Sequence, residues 1–169
     1  MKRLFILRHA KSSWAQPGLQ DIDRPLNGRG NKQIAALASW FSGRAHKPEL
    51  ALCSPARRTR ETWGGIEHAL TDTRMEVCDA LYDSDPDTYL DALRPREVNS
   101  IMLVGHNPTC DELARYLTAP SSPKADELFR AHYGTCNLAV LELDVDDWSA
   151  ISGASGQLVT MLRPRDLNV

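Results

Sequence analysis

The chain has 169 residues, 42% hydrophobic and 25% charged, with a formal net charge of -2. That length suits one domain spanning residues 1–169, with a core large enough to hold without disulfide or metal staples. A balance so near neutrality gives no electrostatic case for nucleic acid or a membrane surface as the main partner, so any phosphate must be held by a few placed cations.

The first predicted strand is Arg3 to Leu7, apolar at nearly every position, as in a strand covered on both faces. It runs without a spacer into Arg8 and His9. After a loop rich in Gly, Pro and Asp, Asn27 is a helix N-cap. Ile34, Leu37, Ala38 and Phe41 then follow at the spacing of one helical face, and Gly43 stops the helix. "ELALCS" is a second short strand, and "PARRTRETWGGI" a helix opened by Pro55. "MEVCDAL" is a third, weaker strand and Pro86 to Leu93 a short helix. "SIMLVGHNP" is the fourth strand, ending like the first in a polar turn with a histidine. Thr109 to Leu117 continues as a helix, and Ala119 to Lys124 is a surface loop. "TCNLAVLELD" and "GQLVTMLRP" are strands close enough in sequence for an antiparallel hairpin.

Strands alternating with helices predict a three-layer α/β/α sandwich, its sheet mostly parallel with an antiparallel edge from the C-terminal segment. Ligands of such sheets bind beyond the carboxyl ends of the strands. Three strands end in chemistry: Leu7 into Arg8-His9, Cys53 into Ser54-Pro55-Ala56-Arg57-Arg58, and Val104 into Gly105-His106-Asn107. Parallel strands bring those tips to one edge. The four cysteines show no CxxC pair and no zinc spacing, and Cys53, Cys78 and Cys136 fall in apolar stretches that read as strands with buried free thiols. The run Leu4 to Leu7 is too short for the apolar region of a secretory signal, and no stretch approaches the roughly twenty apolar residues of a spanning helix. A reduced, cytoplasmic setting is the expectation.

Of the five histidines, His9 and His106 occupy equivalent strand tips, His46 and His68 sit in polar helix-end contexts, and His132 has no assigned role. Two imidazoles beside guanidiniums do not suit a metal, which prefers neutral or anionic ligands. A Ser-His-Asp triad needs one histidine and no cationic cradle. A phosphoryl group fits, because fork-shaped arginines match its oxygens while one imidazole attacks phosphorus and the other donates to the equatorial oxygens.

"LRHAKSSW" resembles the RHG/RHA signature of the histidine phosphatase (phosphoglycerate mutase-like) superfamily. "RPLNGRG" is similar to its PLSxxG or PLTxxG helix start, "SPARRTRET" to its SPxxRAxQT segment, and "VGHNP" to its second-histidine motif. These cover Leu4 to Pro108 in the family order. "RHAKSSW", the short chain and the C-terminal "RPRDL" look like the SixA-type phosphohistidine phosphatases. The resemblance implies His9 as the phosphorylated nucleophile, Arg8 and Arg58 as phosphate-binding arginines and His106 as the second pocket histidine. Arg57 and Arg60 are then bystanders. Ala10 stands where Gly is commoner, and Thr59 and Glu61 replace Ala and Gln of the motif.

Relatives acting on phosphate esters carry a glutamate acid after the third strand. Here "ALYDSD" offers Asp83 or Asp85, which read equally well as turn and cap residues before Pro86. Only 22 residues separate Asp83 from His106, which leaves little room for a lid around a small substrate. The resemblance therefore implies a metal-free, cofactor-free phosphatase whose partner is a phosphohistidine protein. Small phosphate esters are the alternative, and a non-catalytic phosphate-binding module a second one.

Overall fold

Strands with large apolar side chains on both faces need helices on both sides. In the structure, a computed structural model describing residues 1–169, the elements are β1 (Lys2–Arg8), α1 (Gly28–Ser42), β2 (Leu50–Cys53), α2 (Arg57–Ile66), β3 (Arg74–Val77), α3 (Pro86–Leu93), β4 (Ser100–Gly105), α4 (Thr109–Leu117), α5 (Ala125–Phe129), β5 (Leu138–Leu143) and β6 (Gly156–Leu162). The strands form one sheet in the order β3-β2-β4-β1-β5-β6. The first four of that order are parallel, and β5 and β6 add the antiparallel edge.

Period-two alternation sorts the core. Leu4 and Ile6 of β1, Leu50 and Leu52 of β2, and Ile101 and Leu103 of β4 pack with Tyr89, Leu93, Leu113, Leu117 and Leu128 of α3, α4 and α5. Phe5 and Leu7, Ala51 and Cys53, and Met102 and Val104 point the other way and pack with Leu37, Phe41, Trp63 and Ile66 of α1 and α2. Each large apolar side chain buried in these clusters stabilises the fold by about 1.5–3 kcal/mol. This three-layer arrangement is the expected fold class.

Local signals act as expected at two helix starts. Asn27 Oδ1 accepts from Gly30 N at 2.9 Å, and Asp85 Oδ1 accepts from Thr88 N at 2.9 Å with Pro86 in the first turn. Other elements differ from the expectation. The second helix opens at Arg57, two residues after Pro55, because Ser54 is still held by the sheet through Ser54 N to Val104 O at 3.0 Å. β3 stops at Val77, so Cys78 lies beyond it, and Cys136 precedes β5 in a left-handed conformation (φ 58°). Cys53, Cys110 and Cys136 are buried, and desolvation pushes each thiol up to about 12. The segment Ala119 to Lys124 is not simply a surface loop. Ser122 is buried, accepting from Leu158 N at 3.1 Å and donating to Ala119 O at 2.6 Å, so it completes the hydrogen bonding of β6. The five-residue α5 is too short to show a periodic signal.

Candidate active site

Backbone hydrogen bonding continues past the strand ends. His9 N donates to Gly105 O at 3.0 Å, and Arg8 N donates to Asn137 O at 3.1 Å. The sheet thus sets where Arg8, His9, Ser54 and His106 leave it. Gly105 has to be glycine, since a Cβ there would lie 2.2 Å from Tyr89 Oη. That hydroxyl accepts from His106 N at 3.2 Å and donates to Leu81 O at 3.0 Å, which fixes the His106 backbone to the turn before Tyr82.

Arg58 arrives from the first turn of α2, and two threonines clamp that turn to the strand tips. Thr59 Oγ1 donates to Ser54 O at 2.8 Å, while Thr62 Oγ1 accepts from Ala10 N at 3.0 Å and donates to Arg58 O at 2.6 Å. Thr59 therefore holds the site together without touching it.

The side chains converge. His9 Nδ1 lies 2.7 Å from Ala10 O, which can only accept, so the proton is on Nδ1 and the lone pair on Nε2. Arg58 Nε donates to that Nε2 at 3.3 Å, and Arg58 Nη2 lies 3.3 Å from His106 Nδ1. A guanidinium only donates, so His106 accepts at Nδ1 and its Nε2–H donates to Ser54 Oγ at 2.7 Å. The two imidazole centroids are 5.4 Å apart. Arg8 Nη1 donates to Tyr133 O at 3.0 Å, whereas its Nε is buried without a partner. Arg8, His9, Arg58 and His106 all border a cleft of about 490 Å³.

Burial sets the charge state of both rings. Desolvation pulls the His9 pKa down to about 3, with the nearby His106, Arg58 and Arg8 adding to it against the Ala10 hydrogen bond. His106 falls to about 4, first through burial and then through the Arg58 charge. Both imidazoles are neutral at neutral pH, and the positive charge of the cleft resides on arginines.

The opposite wall comes from loops, and its chief residue, Asp21, was not foreseen from the sequence. Asp21 Oδ2 accepts from Arg58 Nη2 at 3.0 Å and from Tyr82 Oη at 2.8 Å, Oδ1 accepts from Arg24 Nε at 3.1 Å, and Asp21 O accepts from Arg58 Nη1 at 2.7 Å. Burial works to raise its pKa, but hydrogen bonds from Tyr82, Arg58 and Arg24 outweigh it and leave the carboxyl at about 2. Trp14 is 76% exposed at the rim, its ring 3.6 Å from the Arg24 guanidinium. Of the two aspartates proposed as an acid, Asp85 is committed to capping α3, whereas Asp83 borders the cleft at φ 51°. His46, His68 and His132 are exposed and outside the cleft.

Residues 4–90 match the model of the histidine phosphatase superfamily (branch 1). The chain belongs to that family. A chloroplastic protein of Arabidopsis thaliana is 32% identical over 92% of this chain and 74% of its own length. A chain assigned to SixA from Agrobacterium tumefaciens superposes with a TM-score of 0.81 at 31% identity, covering 96% of this chain and 98% of that one. The protein histidine phosphatase SixA in complex with tungstate gives a TM-score of 0.75 at 25% identity, covering 98% and 99%. Within the superfamily the chain is thus similar to SixA proteins along nearly its whole length.

Proposed function

We propose that this chain is a phosphatase acting on phosphohistidine of proteins, through a covalent intermediate on His9. The observation that carries the reading is the neutral His9, its lone pair on Nε2, facing Arg58 and His106 beside an unpartnered Arg8 Nε. The tungstate held by the similar SixA protein is a tetrahedral oxyanion, the shape of a phosphoryl group.

In the first step the Nε2 lone pair of His9 forms a bond to phosphorus as the P–N bond breaks. The electron pair of that bond passes to the substrate ring, which carries a proton on its other nitrogen and so leaves as a neutral imidazole. Arg8 and the Nε–Nη2 edge of Arg58 take up charge on the equatorial oxygens. His106 contributes a donor once its proton is on Nδ1. The Ser54 hydroxyl can donate as well as accept, so turning its hydrogen toward Nε2 supports that tautomer without charging the ring. Water then attacks phosphorus, the bond to His9 breaks, inorganic phosphate leaves and His9 is neutral again. Asp21 holds Arg58 from behind and, ionised at neutral pH, has no proton to give. Three arginines border the cleft and its best-placed carboxylate already serves Arg58, Arg24 and Tyr82, so the donor set favours an anion over a metal ion.

The leaving group argues for phosphohistidine. An alkoxide leaves with the help of an acid, the parent oxygen acid water having a pKa of about 15.7. An imidazole titrates near about 6.5 and needs far less help. Between Asp83 and His106 the chain is occupied by α3 and β4, with no insertion to enclose a small substrate. A side chain mounted on another protein can enter. Four unpaired cysteines fit a reducing compartment, and no helix is long and apolar enough to cross a membrane.

Asp83 on the cleft rim favours a second reading, hydrolysis of small phosphate esters by the same first step with Asp83 protonating the leaving oxygen. The deciding experiment offers the protein a histidine-phosphorylated protein and an alkyl phosphate, quenches in mid-turnover and maps the phosphoryl adduct. Faster turnover of the first, with the adduct on His9, is the expected result. Turnover confined to the ester would replace the proposal by the second reading.

A further inference from the structure

A second cavity of about 440 Å³ opens on the same end of the sheet. Arg29 of α1, Arg130 and His132 of the segment between α5 and β5, and Arg163 and Arg165 beyond β6 line it, and no acidic side chain does. Some of this charge is matched nearby. Arg163 pairs with Asp166 at 3.1 Å and lies 3.8 Å from Glu127, while Arg130 meets Asp126 at 3.5 Å with both side chains 80% exposed, a weakly coupled geometry. Arg29 and Arg165 form no ion pair. In a chain of net charge -2, the groove is therefore a local concentration of the opposite sign.

The groove and the catalytic cleft share a wall. Tyr133 O accepts from Arg8 and from Asn107 on the cleft side, while its chain neighbours His132 and Gly134 line the groove. Leu7, Leu138 and Leu162 are in register across β1, β5 and β6. Arg8 and Arg163, each the next residue along, leave the sheet two strand spacings apart, about 10 Å. A surface presenting a phosphohistidine to His9 can extend over this groove.

The spacing of the charges argues for an extended partner. The arginines come from separate segments, and none points a buried, unpartnered nitrogen into the groove as a small-anion site would. No Phe, Tyr or Trp lines it to stack bases, and the net negative remainder of the chain repels a long polyanion. We propose that the groove docks the acidic face of the phosphorylated protein substrate, one carrying Asp and Glu within about 10 Å of its phosphohistidine. This rests on the phosphohistidine-protein reading above and specifies which proteins satisfy it.

The test uses two peptides of equal length, each with one histidine phosphorylated by phosphoramidate, flanked by glutamates in one and glutamines in the other. The wild type should prefer the glutamate peptide by about tenfold in kcat/KM at low salt, the difference lying in KM and shrinking as salt rises. Arg29→Glu with Arg165→Glu should erase the preference and leave turnover of free phosphohistidine unchanged, which also reports that the fold is intact. Arg29→Gln with Arg165→Gln replaces that pair if charge reversal impairs folding. A wild type indifferent to the flanking charges, or a variant that keeps the preference, overturns the groove proposal and leaves the phosphohistidine reading standing. If neither peptide is hydrolysed, the phosphohistidine reading fails by itself. The groove is then read from fluorescence anisotropy of the unphosphorylated glutamate peptide: binding that weakens about tenfold in the variant supports it, and equal binding refutes it. A single-stranded RNA of similar length that binds more tightly than the peptide refutes the choice of a protein partner.

Discussion

The strand-tip wall of the cleft and the loop wall facing it are held by different means. Arg8, His9 and His106 stand on backbone fixed by the ladder and its extensions, His9 N to Gly105 O among them. Asp21 and Tyr82 stand outside the sheet and the α-helices and keep their places through side chains, with Tyr82 and Arg58 both bonded to Asp21, while Asp83 beside them makes no such bond. Removing a side chain from the first wall should delete a chemical role and leave the geometry intact. Removing one from the second should act at a distance, through whatever it was holding.

The largest effect expected is at the rigid wall. On the mechanism proposed, with His9 as nucleophile, His9→Ala should lower turnover by at least about 10⁴-fold, since only charge stabilisation and positioning would remain. A stopped-flow phosphate assay measures this, and residual turnover within a hundredfold of wild type would assign the nucleophile elsewhere. Arg58→Ala follows, with a loss of about 10²–10³-fold, the usual effect of deleting one preorganised donor to developing charge. Arg58 belongs to both walls, which makes it the hinge of the comparison.

Asp21→Asn tests the loop wall through that hinge. The amide loses the charged contact to Arg58 Nη2, and a fall of about tenfold in kcat/KM is expected. If Asp21 acts only by positioning Arg58, the substitution has no further effect in an Arg58→Ala background. Full additivity in that double-mutant cycle would show that Asp21 acts by a route other than Arg58, through Arg24, Tyr82 or the reaction itself.

Acid stability separates the walls in another way. His9 titrates at about 3 and His106 at about 4 in the folded chain. Unfolded, both titrate near the ordinary value of about 6.5, so between pH 6.5 and their folded values the unfolded state binds more protons. Stability therefore falls as pH falls through that window, by at most about 1.4 kcal/mol per pH unit for each ring. Asp21, at about 2 in the folded chain, takes effect only below the ordinary carboxylate range, at lower pH. Urea denaturation from pH 6.5 to pH 4 should show a shallower loss in His9→Ala than in wild type, and parallel curves would mean that burial does not hold the ring neutral.

The two walls also differ in how far they can be read from the sequence. Arg8, His9 and His106 follow apolar runs directly, and parallel strands bring such tips together whatever the loops do. Arg58 sits a fixed few residues beyond its strand. Asp21 has no such marker, because its role depends on partners 37 and 61 residues away across an irregular segment. The basic groove is less legible still. Arg29, Arg130, Arg163 and Arg165 meet only because β5 and β6 return antiparallel beside β1, and a net charge of -2 hides them.

The smallest effect is expected at Asp83, and it bears on the substrate. Asp83 borders the cleft and makes no side-chain hydrogen bond or ion pair, so Asp83→Asn releases no anchored neighbour and removes only a possible proton donor. With phosphohistidine the departing imidazole needs little protonation, and the rate should change by far less than the roughly 10²–10⁴-fold typical of general acid catalysis. An alkyl phosphate, whose leaving oxygen depends on a proton, should slow more, and an activated aryl phosphate should fall between. Asp85→Asn serves as the control, since an asparagine side-chain oxygen caps α3 about as well as the carboxylate, and both stability and rate should change little. All three substrates are to be compared at neutral pH with both variants. A drop of about a hundredfold or more on phosphohistidine for Asp83→Asn would mean that the loop wall carries the acid after all. The small-ester reading would then take precedence.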